Sequence, residues 1–109
     1  MGLLDRFRNR SAAVASAPSG DVDAQLEAAA NLLEESKWQE AIQAYQIINK
    51  THPEKRGFCA AQIGAAHFAL GNYDIAAACY IDARDAGESP ELMELRIKVA
   101  TEKASASEA

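Results

Sequence analysis

The 109-residue chain has few residues that break helices and no pattern that builds sheets. It contains six glycines and three prolines, and alternating runs of Val, Ile, Thr and aromatic residues are absent. Alanine, which loses no side-chain entropy in a helix, is abundant. These features argue against a β-rich protein and predict an all-α fold in a single domain.

Residue types that support catalysis or metal binding are also scarce. The two histidines, His52 and His67, and the two cysteines, Cys59 and Cys79, form no zinc-ligand spacing, and no glycine-rich phosphate loop is present. We expect His67 to be a packed histidine and both cysteines to be reduced and buried, which points to a reducing compartment. The sequence thus predicts a non-enzymatic, cytoplasmic protein without metal or cofactor.

Positive charge is scarce outside the N-terminus. Residues 1–20 carry three arginines against one aspartate, a net charge of +2, and the rest carries 8 basic and 15 acidic residues, a net charge of −7. Proteins bind nucleic acids by neutralising phosphates, so the acidic body argues against a nucleic-acid partner. The uncharged run over residues 57–73 is too short to span a bilayer.

The N-terminal twenty residues differ in character from the rest. Residues 1–10 form a short amphipathic segment. Its apolar face is made by Leu3, Leu4 and Phe7, and its basic remainder by Arg6, Arg8 and Arg10. Residues 11–20 predict a flexible linker. Three interpretations stay open for residues 1–10: a disordered or intramolecular tail, an anchor on a partner or an anionic membrane, and a mitochondrial targeting peptide. As a membrane anchor so short a segment binds weakly by itself.

Breakers and caps divide the remaining chain into five helices. We predict them over about residues 22–35, 37–49, 53–70, 73–86 and 89–103, within a domain that spans residues 21–104. A disordered tail is predicted over residues 105–109. The connections are short, so neighbouring helices are expected to be antiparallel.

Internal similarity at a spacing of 35 residues is the strongest signal in the chain. Trp38, Ala41, Tyr45 and Ile48 recur as Tyr73, Ala76, Tyr80 and Ala83. With Ile63-Gly64 before them, these residues resemble the tetratricopeptide repeat family, whose unit is a helix–turn–helix of this length. The pattern departs from the family at Gln25, Ala28-Ala29, Leu32, Ala60, His67 and Glu88. The resemblance implies two repeats, over residues 22–53 and 57–88, and a capping helix over residues 89–103.

The resemblance further implies a concave face that binds an apolar or amphipathic segment of another protein. Its positions are Asp23, Leu26, Ala30, Leu33 and Glu34, then Phe58, Ala61, Ala65, Phe68 and Ala69, then Met93, Arg96 and Ala100. An adaptor or small chaperone is the function implied, and bacterial secretion chaperones of this repeat class are a precedent. Leu26, Ala30 and Ala65 cannot hydrogen-bond a C-terminal carboxylate, which argues against binding of chaperone tails.

A second hypothesis follows from the small number of repeats. At least three repeats are normally needed for stability, so a two-repeat chain is under pressure to cover its open face. The chain is then a self-associating structural module whose concave face is covered by its own N-terminus or by a second copy, as in a homodimer. In this version residues 1–10 also serve as a tether at the inner face of a membrane.

Overall fold

Five α-helices follow one another in the computed structural model, which describes residues 21–108. The helices are α1 (Val22–Glu34), α2 (Trp38–Thr51), α3 (Arg56–Ala69), α4 (Tyr73–Asp85) and α5 (Pro90–Glu108), with a 3₁₀ turn at Pro53–Lys55 before α3. No strand occurs within residues 21–108, and the all-α prediction is confirmed. The predictions for residues 1–20, an amphipathic segment and a linker, lie outside the described residues.

Two helices begin at side-chain caps, α1 at Asp21 and α5 at Ser89. The Ala24 amide donates to Oδ1 of Asp21 at 3.2 Å at the start of α1. The Leu92 amide donates to Oγ of Ser89 at 3.4 Å, and Pro90 is the first residue of α5. Both side chains provide a partner for an amide that lacks an intrahelical acceptor, so the helix starts could be predicted closely.

Three helices end in the same type of turn. Ser36, Gly71 and Gly87 have positive φ angles of 61°, 85° and 104°. The next amide then donates to the carbonyl five residues earlier, from Lys37 to Leu32, Asn72 to His67 and Glu88 to Ala83, at 2.9, 2.8 and 3.0 Å. This is the Schellman pattern of helix termination. Ser36 and Gly71 are 35 residues apart, so the repeat extends to the turns.

The turn at Ser36 provides a test of backbone strain. A non-glycine residue in the left-handed region costs about 1–2 kcal/mol, part of which glycine recovers at the expense of a more flexible unfolded chain. Because Ser36 is exposed and has φ 61°, Ser36→Gly is expected to raise the free energy of unfolding by about 0.5–1 kcal/mol in urea titrations. The matched change Gly71→Ser should have the opposite sign. A loss of stability in Ser36→Gly would show that its side chain contributes to the turn.

The helices pack in chain order, each against its sequence neighbours, and form an elongated body of 50 × 29 × 18 Å. A first buried cluster joins α1, α2 and α3 through Ala29, Ile42, Tyr45, Ile48, Cys59, Ile63 and Ala66. A second joins α3, α4 and α5 through Ala61, Ala76, Tyr80, Ala83, Met93 and Ala100. Helix α3 therefore contributes to both clusters.

Residues 35 positions apart have the same environment. Ala41 and Ala76 are fully buried, Tyr45 and Tyr80 are 1% and 4% exposed, and Ile48 and Ala83 are 2% and 0% exposed. Trp38 and Tyr73 are both half-buried. These pairs therefore serve core packing, and residues 21–108 form a helical-repeat-like, all-α structure.

Gly64 allows α3 and α4 to approach closely. A Cβ atom added to Gly64 would lie 2.9 Å from Cε1 of Tyr80 and 3.1 Å from Cβ of Cys79. Tyr80 is itself buried, so its ring rests directly on the backbone of α3. The glycine of the repeat pattern therefore lies at the contact between the two helices.

Helix α5 is longer than the sequence indicated. We predicted an end near residue 103 and a disordered tail over residues 105–109, but the helix continues to Glu108. The tail prediction is therefore wrong for residues 105–108. Ala104 is 9% exposed and the Lys103 ammonium lies 6.0 Å from the centre of the Tyr73 ring, so packing extends beyond the predicted end.

Candidate functional site

An open, mostly apolar groove of about 290 Å³ lies where α3, α4 and α5 meet. Phe68 of α3 and Tyr80 of α4 form one side. Helix α5 supplies the remaining lining residues, which are Leu92, Leu95, Arg96 and Val99. The volume of the groove is at the lower limit of small-molecule pockets. Its open shape suits side chains that protrude from a larger partner. We call this feature the α5 groove.

Helix α5 has two apolar stripes, and only one of them is buried. Met93, Ile97, Ala100 and Ala104 recur at i, i+4, i+7 and i+11, and face the core. Leu92, Leu95 and Val99 recur at i, i+3 and i+7 on a neighbouring face. Leu92 is 42% exposed and Leu95 is 58% exposed. The second stripe therefore presents apolar surface to the α5 groove.

Aromatic contacts hold the opposite side of the α5 groove in place. Phe68 packs edge-on against Tyr73, with ring centres 5.0 Å apart. The Arg96 guanidinium carbon lies 5.8 Å from the centre of the Tyr80 ring, a cation–π arrangement. Burial raises the pKa of Tyr80, although Arg96 opposes that shift, so the phenol stays protonated and neutral. Arg96 is the one charged residue among the six that line the groove.

The sequence-predicted residues of α1 and the first half of α3 lie elsewhere. Leu26 and Leu33 are half-buried and pack against the first core cluster. Ala30 and Ala65 are half-buried. Phe58 is 38% exposed and makes an edge contact with Tyr45, with ring centres 6.2 Å apart. Of the thirteen positions predicted for the concave face, the α5 groove contains Phe68 and Arg96.

Three of the predicted residues are not available to a partner. Ala61 is 3% exposed, Met93 is 2% exposed and Ala100 is 0% exposed, and all three belong to the second core cluster. Their assignment to an open face was wrong because their side chains pack in the core between α3, α4 and α5. The prediction also omitted Tyr80, Leu92, Leu95 and Val99. The i, i+3, i+7 spacing of the three α5 residues was the signal that could have found them.

The titratable groups of the core are in environments that keep them neutral. Burial raises the pKa of Cys59 to about 11 and also raises the pKa of the half-buried Cys79. No bond joins the two cysteines. Burial lowers the pKa of His67, whose Nδ1 lies 3.3 Å from the side-chain nitrogen of Asn72. Protonated thiols are poor nucleophiles and poor metal ligands, so the two cysteines act as packing residues.

The described part of the chain has neither a cluster of metal-ligating residues nor a helix that could span a membrane. Residues 21–108 contain no group of three or more His, Cys, Asp or Glu residues placed to hold a metal ion. Within the same range no helix combines the length and the apolar character that crossing a bilayer requires.

Comparison with known proteins gives no independent assignment. The chain matches no protein-family model, and no curated protein matches it significantly.

Proposed function

We propose that this chain is a non-catalytic binding module that holds an apolar or amphipathic segment of another protein in the α5 groove. The observation that carries the proposal is the exposed apolar stripe of α5. Leu92 and Leu95 are 42% and 58% exposed beside Phe68, on a helix that already has a buried stripe. A contiguous apolar patch of this kind marks an interaction site more often than isolated surface leucines do.

The repeat architecture supports the proposal. Equal burial at a spacing of 35 residues and matching turns at Ser36 and Gly71 are what two tetratricopeptide-type hairpins require. In that architecture α1, α3 and α5 line the concave side. The α5 groove has lining residues from α3 and α5, together with Tyr80 of α4, and we propose that it is on the side on which such modules bind their partners.

The small size of the exposed stripe favours weak binding. Burying a leucine side chain fully contributes about 1.5–3 kcal/mol, so covering two half-exposed leucines contributes roughly 1.5–3 kcal/mol. Association costs at least about 4 kcal/mol in lost translational and rotational freedom, so further contacts with Phe68 and Val99 are needed for binding. We therefore propose a transient adaptor or small chaperone, in a reducing, cytoplasmic setting that the unbridged cysteines also favour.

The proposal predicts that a charge in the groove abolishes partner binding. Leu95→Glu places a carboxylate where an apolar side chain of the partner has to be buried, and is expected to weaken binding at least tenfold. Leu95 is mostly exposed, so circular dichroism and the urea midpoint should not change. The measurement starts with affinity capture from the native host. Retained proteins are then purified and titrated calorimetrically.

Ile47→Glu is the matched control for that experiment. Ile47 is 61% exposed on α2 and does not line the α5 groove, so its replacement adds the same charge to a different surface. Proteins held by wild type and Ile47→Glu but lost from Leu95→Glu are the expected partners. Equal binding to all three proteins, measured with purified components, would refute the groove as the binding site.

A further inference from the structure

We infer that the occupant of the α5 groove in the resting chain is its own N-terminal segment, residues 1–10, which a partner must displace. The inference rests on the proposed function, because it concerns the same groove, and adds a regulatory element to it. A second copy of the chain in the groove, or a membrane surface bound by the segment, would give a different outcome in a peptide competition experiment.

The segment offers three apolar side chains to a groove whose lining is mostly apolar. Leu3, Leu4 and Phe7 share one face when spaced helically, at i, i+1 and i+4. The groove offers Phe68 and Tyr80 on one side and the exposed leucines of α5 on the other. A segment with three bulky apolar side chains is what an open groove of this size accommodates.

Charge complementarity favours the same pairing. Residues 1–20 have a net charge of +2 and the remaining residues a net charge of −7. On α5 the exposed Glu91, Lys98 and Glu102 are spaced four, three and seven residues from Leu95, which places two carboxylates and one ammonium beside it on the same face. Neither carboxylate forms an ion pair with another residue in the range 21–108. They can therefore receive the arginines of the segment.

At full extension the connecting chain and the segment reach across most of the folded body. Ten extended residues, 11–20, span about 33 Å, and residues 1–10 would add about 15 Å as a helix. The longest dimension of the folded body is 50 Å. Short flexible connections give effective concentrations on the order of 1 mM. If the free segment binds with a dissociation constant of about 0.1 mM, the groove is then about 90% occupied.

The test measures competition between the attached segment and the same sequence added as a peptide. A fluorescent peptide of residues 1–10 is titrated by anisotropy into the full-length wild-type chain and into the full-length triple variant Leu3→Ser, Leu4→Ser, Phe7→Ser. The triple variant cannot cover its groove and should bind the peptide about tenfold more tightly than wild type. Adding Leu95→Glu to the triple variant should abolish binding, and adding Ile47→Glu should leave it unchanged.

Several outcomes would overturn the inference. Equal peptide affinity of wild type and triple variant excludes cis occupancy, as does binding that survives Leu95→Glu. If wild type sediments as a dimer and the triple variant sediments as a monomer, the groove is occupied by a second copy of the chain. If the peptide does not bind the chain, and co-sedimentation with phosphatidylserine vesicles requires Leu3, Leu4 and Phe7, the segment is a membrane anchor.

The failure of this inference can be distinguished from failure of the proposed function. If the peptide of residues 1–10 does not bind but a purified partner still depends on Leu95, the groove is a binding site that its own N-terminus does not regulate. If neither binds in a Leu95-dependent manner, both proposals are wrong. The circular dichroism spectra of all variants must match wild type, which is expected because every changed residue is exposed or lies outside residues 21–108.

Discussion

Replacing Tyr45 with alanine is expected to lower the free energy of unfolding by about 3–5 kcal/mol, the largest effect of any single change considered for this chain. Tyr45 is 1% exposed and belongs to the first core cluster, which joins α1, α2 and α3. Removing its ring leaves a cavity and removes the edge contact with Phe58. A domain of this size has a total stability of about 4–13 kcal/mol, so the loss is a large fraction of it.

Tyr45→Phe is the control that separates the ring from the hydroxyl. Burial raises the pKa of Tyr45 to about 12, so the hydroxyl stays protonated near neutral pH and carries no charge that phenylalanine would remove. We expect Tyr45→Phe to change stability by less than about 1 kcal/mol. Thermal unfolding followed at 222 nm should place Tyr45→Ala at least about 12 °C below wild type. Similar melting temperatures for the two variants would mean that the ring contributes little to the core.

Gly64→Val is expected to lower the free energy of unfolding by about 3 kcal/mol. The added Cβ would lie 2.9 Å from Cε1 of Tyr80, closer than a carbon contact allows, and valine adds two methyl groups beyond it. The Tyr80 ring is 4% exposed and has little space into which to retreat. The helices α3 and α4 therefore have to separate, which weakens the second core cluster. Urea unfolding monitored by circular dichroism measures the change.

Gly57→Val provides the comparison on the same helix. A Cβ at Gly57 would meet Cγ of Glu88 at 3.1 Å and Cβ of Ala86 at 3.2 Å, so neither contact is as short as the one at Gly64, and the Glu88 side chain can move. We expect a loss of about 1–2 kcal/mol at this position, smaller than that of Gly64→Val. If the two variants are equally stable, the ring of Tyr80 can adapt and the close approach at Gly64 does not limit the packing of α3 on α4.

The fold could be predicted closely where local chemistry determines it. Asp21 and the Ser89-Pro90 pair start helices by capping and by a fixed φ angle, and Gly71 and Gly87 end them in the left-handed conformation. These signals depend on a few adjacent residues, so the sequence contains them in full. The equivalent role of Ser36 was not predicted, although its spacing of 35 residues from Gly71 indicates it.

The candidate site was predicted less well because its position depends on how α5 rotates against α4. Met93 and Leu92 are adjacent in sequence, and each begins an apolar stripe with helical spacing. Periodicity shows that both stripes exist but does not show which one is buried. Packing against α4 selects the Met93 stripe as core, which leaves Leu92 and Leu95 in the groove. Phe68 was predicted because it lies on α3, which supplies residues both to the predicted concave face and to the α5 groove.

The order in which the helices pack has a kinetic consequence. Each helix makes most of its contacts with its neighbours in the chain, so contacting residues are close in sequence and folding of such a topology is fast, on the microsecond-to-millisecond scale. Helices α1 and α5 each pack mainly against one neighbour, and terminal elements of stacked helical units open before the centre does. One wall of the groove is therefore built on an element that can detach transiently while the first cluster stays intact. Exchange between an internal and an external occupant can then proceed through local opening, without unfolding of the domain.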